Sequence, residues 1–200
     1  MPSSSHIIEK LEKTHHYKTF LYLALAGIGL MFLTIVCVLL FNIHQNSISI
    51  HFLPKAFAIS TVLLITCSYF LLPILQHAKD EFIGYVRSIL LKLIVLGSLF
   101  ILFQGIGWCE LIAHGITFTS KVPVTLLYVL SGLHALHFIG GFIYAIVLYT
   151  QVRKAMKDPV KQLIWQTNPF QKLKLELLVI YWHFMDLLWV VLFLIFFLSF

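Results

Sequence analysis

An integral membrane bundle of five α-helices is the fold class this sequence predicts, and three observations carry it. Hydrophobic residues make up 60% of the 200 positions and charged residues 11%, whereas a soluble domain carries about 25% charged residues. The mean hydropathy is +0.95. The apolar residues gather into five runs, 19–43, 56–76, 93–113, 122–151 and 175–200, each long enough at about 1.5 Å per residue to cross a hydrocarbon core of about 30 Å.

In chain order, residues 1–18, with Ser3 to Ser5, mixed charges and the pair His15 and His16, read as a cytoplasmic tail against the membrane surface. Residues 19–200 then form the membrane domain. The first run is too long for a signal-peptide core and lacks a small-residue cleavage site, so it is expected to remain as a helix. Its Ala24, Ala26, Gly27 and Gly29, like Ser131, Gly132, Gly140 and Gly141 of span four, would let neighbouring backbones approach. Near the far end of span three, Gln104, Trp108 and Glu110 suggest an interfacial tryptophan and a carboxylate reaching head-group water. Cys37, Cys67 and Cys109 are odd in number and widely spaced, which suits buried small hydrophobes better than a disulfide framework. The connection 152–174 contains Pro159 and Pro169 and is expected to turn along the surface without forming a domain of its own.

The basic residues orient the bundle. Twelve of the fourteen flank one set of span ends: Lys10, Lys13 and Lys18 before span one; Lys79, Arg87 and Lys92 between spans two and three; six more, from Arg153 to Lys174, between spans four and five. Only Lys55 and Lys121 lie opposite. The positive-inside rule then places the amino terminus in the cytoplasm and the carboxyl terminus in the periplasm or outside. The same placement explains the net charge of +6 by anionic lipid head groups, and discounts a nucleic-acid partner.

Ionisable residues inside a span are expensive, about 3 kcal/mol or more unless paired, and spans four and five carry several. His134 and His137 are three apart and share a face with Ser131. Glu176 and His183 are seven apart, with Asp186 three further on and Tyr181, Trp182 and Trp189 among them. Counting residues from the flanking lysines puts the two stripes at similar depths. Spans four and five are therefore expected to pack together and to hydrogen-bond across their interface through these groups. Three chemistries fit: a satisfied polar interface, a proton-handling path, or metal or haem ligation, the last with a spacing only compatible with a ligand face.

Two strings go further. Ser131-Gly-Leu-His134-Ala-Leu-His137 followed by Gly140 and Gly141 resembles the T-G-x-H-G-x-H…G pattern of cytochrome c oxidase subunit III. Glu176-Leu-Leu-Val-Ile-Tyr181-Trp182-His183-Phe-Met-Asp186-Leu-Leu-Trp189 resembles that family's E-x4-Y-W-H-F-V-D-x-x-W, in the right order on the next span. A weaker match at Ser60 and Thr61 in span two and at Gln104 and Trp108 in span three extends the similarity over most of the chain. Span count and orientation agree with the short five-helix bacterial form. The resemblance implies a non-catalytic subunit of a haem-copper oxygen reductase in a bacterial plasma membrane, binding no haem or copper itself. It would pack on subunit I, which carries haem and copper, alongside subunit II, where further copper belongs in some members. It would hold structural phospholipid, support proton uptake, and be open to membership of a larger respiratory assembly with a quinol-oxidising complex.

On that reading Ser131, His134, His137, Glu176, Tyr181, Trp182, His183, Asp186 and Trp189 form a signature polar interface, and Lys172, Lys174 and Trp108 are lipid contacts. Ala135 and Ser131 replace a Gly and a Thr of the pattern, both small changes. A membrane-embedded Glu common in the first helix of this form is missing, with Ile28 at the likeliest equivalent position, so no role of that Glu transfers. The alternatives are subunit III of a quinol oxidase, a small proton-coupled transporter or channel, and a cytochrome b-like haem carrier.

Overall fold

The computed structural model describes residues 4–46, 54–79, 82–119 and 122–199, with side chains from 16–43, 54–78, 82–119 and 122–198. Lys121 and the ends 1–3 and 200, all used in reading the sequence, lie outside the described residues, as do the side chains of Lys10, Lys13 and Lys79. Every regular element among the described residues is helical: α1 (Ser4–Asn46), α2 (Lys55–Leu71), α3 (Ile74–Lys79), α4 (Ile83–Ala113), α5 (Val122–Ala155), α6 (Pro159–Thr167) and α7 (Pro169–Ser199). Among the described residues five stretches, His16–Ile43, Lys55–Ala78, Ile83–Ala113, Val122–Ala155 and Pro169–Leu198, are long and apolar enough to span a bilayer.

The helix ends follow local chemistry. Pro73 has no N–H to give, and the second span breaks there into α2 and α3. α4 closes on a Schellman turn: Gly115 takes φ +74°, and Ile116 N–H reaches back to the Leu111 carbonyl at 3.0 Å, an arrangement that favours glycine at the left-handed position. Asp158 caps α6, its side chain accepting from Val160 N–H with Pro159 in the first turn. Asn168 accepts from Phe170 N–H at 3.0 Å at the head of α7. Thus the two prolines expected to make a surface turn instead start helices, because each follows a side chain able to cap. Span three likewise begins at Ile83, ten residues before the apolar run, and so carries Arg87 and Lys92 on its first turns. Lys92 bends back over the Phe70 ring, 4.6 Å from its centroid, as a long cation at a membrane edge does.

α2, α4, α5 and α7 close a ring in which each packs on the next, and α1 lies outside it against α5 and α7. The ring interior is aromatic. Phe57 of α2, Phe100 of α4, Phe138 of α5 and Trp182 and Trp189 of α7 are all 2% exposed or less. Phe100 and Phe138 stand 4.5 Å apart and Trp189 lies 5.8 Å from Phe57 and 5.7 Å from Phe100 between ring centroids, within the range of favourable aromatic pairs. Of the small residues, Gly27 and Gly132 face open space. Gly107, which packs on the Phe57 ring, and Gly141, which packs on the Tyr181 ring, allow close approaches. A Cβ on Gly141 would lie 2.6 Å from Tyr181 Cε1. Gly141→Ala should therefore lower stability by about 1–3 kcal/mol, the usual range for overpacking, while Gly132→Ala should change little. Equal thermal midpoints for the two variants in detergent would refute the close α5–α7 contact.

The cysteines divide. Cys67 is buried as expected, but Cys37 and Cys109 are exposed, which corrects the expectation for those two. A thiol is apolar enough to sit on a lipid-facing surface.

Candidate functional site

Every side of the α2–α4–α5–α7 ring is crossed by a side-chain hydrogen bond. Gln104 Nε2 of α4 donates to Ser60 Oγ of α2 at 3.1 Å. Trp108 Nε1 of α4 donates to Ser131 Oγ of α5 at 3.1 Å, and the Ser131 hydroxyl in turn donates a hydrogen bond to the Leu127 carbonyl at 2.8 Å. Tyr181 Oη of α7 donates to the His137 carbonyl of α5 at 2.7 Å. Trp189 Nε1 of α7 donates to Thr61 Oγ1 of α2 at 3.0 Å, closing the ring. In hydrocarbon such bonds hold helices together because little apolar driving force acts between them.

The signature residues fall into distinct surroundings. His134, 0% exposed, sits in the aromatic interior 5.0 Å from the Trp189 ring, with Phe32 and Phe100 edge-on. His137 is half-buried, its Nδ1 bound to the Leu133 carbonyl of its own helix. His183 Nδ1 is bound to the Val179 carbonyl, also in its own helix. Trp182 packs on Phe138 at 5.1 Å. Asp186 is buried and faces Cys67 and Ser68 of α2. Both ring nitrogens of His134, the Trp182 N–H, Nε2 of His183 and both Asp186 oxygens have no hydrogen-bond partner among the described residues. Lys172 is half-buried on the first turn of α7.

The expected pairing of the two polar stripes needs correction. Spans four and five do pack together, but Glu176 meets no histidine of α5. It pairs with Lys18 of α1 at 2.6 Å. The reason is helical phase: five residues separate Glu176 from Tyr181, so at about 100° per residue they stand about 140° apart around α7. Tyr181 faces α5, and Glu176 is turned to α1, with His183 on its stripe. What bridges α5 and α7 beyond Tyr181 is Tyr144 Oη donating to the Lys174 carbonyl at 3.3 Å and Lys174 Nζ donating to Gln151 Oε1 at 3.1 Å. Trp108, read as an interfacial lipid contact, spends its N–H on Ser131. Among the described residues no three His, Cys, Asp or Glu side chains are placed to hold a metal ion.

Sequence reasoning underrated four residues. Ser60, Thr61 and Gln104 entered only through the weaker match, although a polar side chain deep in a span is itself a signal of a cross-helix partner. Lys18 was counted for orientation alone. Yet it flanks span one at the same bundle end where Glu176 opens span five, which is the signal that could have paired them.

No protein-family model matches the chain. Among curated proteins it is 27% identical over 141 residues, 70% of its length, to a probable cytochrome c oxidase subunit 3 of Mycobacterium leprae. It is 25% identical over 140 residues, again 70%, to cytochrome c oxidase subunit 3 of Corynebacterium diphtheriae. It is 27% identical over 144 residues to subunit 3 of the cytochrome bo(3) ubiquinol oxidase of Pseudomonas aeruginosa. The matched region spans 64%, 63% and 62% of those relatives, in turn, somewhat less than two thirds of each. Over about 70% of its length, then, this chain of five spans is similar to curated cytochrome c oxidase subunit 3 proteins.

Proposed function

We propose that this chain is the non-catalytic subunit III of a respiratory haem-copper oxygen reductase in a bacterial plasma membrane. The observation that carries the reading is the coincidence of motif and contact. The two strings that resemble the family lie on α5 and α7, and these helices meet at Tyr181, His137 and Gly141. The similarity to curated third subunits runs across 70% of the chain. On this reading haem and copper reside in partner subunit I, with copper also in subunit II where the donor is a cytochrome. This chain would contribute a polar-tied helical surface, lipid contacts, and support for proton uptake. Its amino terminus would be cytoplasmic, following the basic residues around Lys18, Lys154 and Lys174. The groups of His134, His183 and Asp186 that lack a protein partner would be met by water or by the assembled complex.

A quinol-oxidising partner is the second reading, supported by the similarity to the Pseudomonas aeruginosa ubiquinol oxidase subunit. Purification through a tag on this chain in mild detergent, with a reduced-minus-oxidised spectrum and identification of co-purifying subunits, tests both. Haem bands travelling with a large multi-helix partner are the expected result, and a second subunit with or without a copper-binding domain separates the two donors. A colourless, stable, solitary chain would overturn the proposal in favour of a small transporter.

A further inference from the structure

The outer face of α6 is apolar where no acyl chain reaches it. Val160, Leu163 and Ile164 are each 58% exposed or more and recur at i, i+3 and i+4, one stripe of a helix, while Trp165 and Gln166 are turned inward. α5 sets the depth. With 34 residues it is about 51 Å long, so even centred on a hydrocarbon core of about 30 Å it overhangs by about 10 Å at each end. Its last residue, Ala155, and α6 after it therefore lie beyond the acyl chains. A contiguous apolar stripe on that side of the boundary is the mark of a protein contact.

The ground beside the stripe indicates the chemistry of the partner. Where α5, α6 and α7 meet lies a cavity of about 380 Å³ lined by Lys154, Lys161 and Lys174, by Ile164 of the stripe, and by no carboxylate. Asp158, 3.6 Å from Lys161, offsets part of one charge. Two lining groups are buried and unmet. Trp165 is 7% exposed, and its indole N–H has no hydrogen-bond partner among the described residues; nor has the side-chain oxygen of Gln171. One is a donor and the other an acceptor. A peptide group answers both, its carbonyl accepting from the indole and its N–H donating to the glutamine oxygen, and a neighbouring Asp or Glu side chain meets the lysines. An apolar centre with a charged rim is the usual plan of a protein interface.

We propose that this end of the bundle docks an acidic segment of another polypeptide, its carboxylates among Lys154, Lys161 and Lys174, a peptide group between Trp165 and Gln171, and its apolar side chains on α6. The assignment rests on the chain crossing a bilayer and is independent of which complex it joins.

Zero-length carbodiimide coupling in native membranes tests it, because an amide then forms only between an amine and a carboxylate already in contact. After purification of the full chain and peptide mass spectrometry, Lys154 and Lys161 should be found joined to Asp or Glu of a second chain. The yield should be about tenfold above that at Lys157, which is exposed but outside the cavity. Leu163→Ser with Ile164→Ser should lower it about tenfold, as loss of two apolar contact residues does. Trp165→Phe, which keeps a ring and removes the donor, should lower it about fivefold. Circular dichroism checks that each variant is helical. Coupling of these lysines to Asp158 alone or to nothing, an equal yield at Lys157, or an unchanged yield in the serine double variant would each overturn the proposal. So would phospholipid in place of a coupled peptide, retained by the parent and released by Lys154→Gln with Lys161→Gln, which would give the cavity to a head group. Haem bands are scored in the same preparation, so failure of the oxidase reading and failure of the docking site are distinguished.

Discussion

Trp189→Ala should be the most damaging single truncation in the bundle, lowering stability by about 3 kcal/mol. That is the lower end of the range for removing a buried tryptophan from a soluble core, because hydrocarbon outside the protein is as apolar as the interior and little transfer energy is at stake. What is lost is packing and one hydrogen bond. Trp189 is 0% exposed and touches rings from three other helices: Phe57 of α2, Phe100 of α4 and His134 of α5. Its indole N–H is also the tie to Thr61. Thermal unfolding of the detergent-solubilised chain measures the whole effect, and Thr61→Val isolates the tie, with about 1–3 kcal/mol expected for stranding the donor. A Trp189→Ala midpoint within a degree or two of the parent would mean that the ring does not close at this point.

Asp186→Leu should move in the opposite direction. The Asp186 side chain is 6% exposed and lies beside the Ser68 hydroxyl of α2, but neither oxygen is in good hydrogen-bond geometry with a donor among the described residues. A buried polar group in that state costs about 1–3 kcal/mol, and leucine keeps the branched outline while removing the unmet need, its bulkier methyl groups taking back part of the gain. The solubilised chain is therefore expected to gain stability, by less than that amount. A loss of stability would show that Ser68, or water held beside it, satisfies the carboxylate. If the gain appears together with a shorter active lifetime of the complex proposed above, Asp186 is kept for function at the expense of stability.

The architecture was readable because lipid leaves the backbone few choices: a long apolar run with its hydrogen bonds made internally is a helix. The boundaries were less readable. Arg87 and Lys92 ended the apolar run but not the helix, since long cations reach the interface from within it. Asp158 with Pro159, and Asn168 with Pro169, were noticed as breakers and are in fact starters, a difference that depends on whether the preceding side chain can cap.

The candidate site divides in the same way. That α5 and α7 meet follows from their polar stripes, but which group meets which depends on helical phase and on a third helix. Glu176 therefore went to the wrong partner until α1 was in place. Tyr181 against Gly141 is a contact that spacing along one chain segment cannot reveal, because it depends on the distance between two helix axes.

The outlying position of α1 bears on how the protein is made. Its substantial packing is with α5 and α7, the fourth and fifth of the five spans in chain order, so α1 must wait beside lipid until those two have been made. A segment with that history has to be stable across the membrane on its own. Its composition agrees: the first span is the most hydropathic of the five, and the fourth, which on insertion finds neighbours already present, is the least. The hydropathy of the spans thus follows the order in which they find one another, and the Lys18–Glu176 pair, which ties the first span to the fifth, can form only once the fifth has been made.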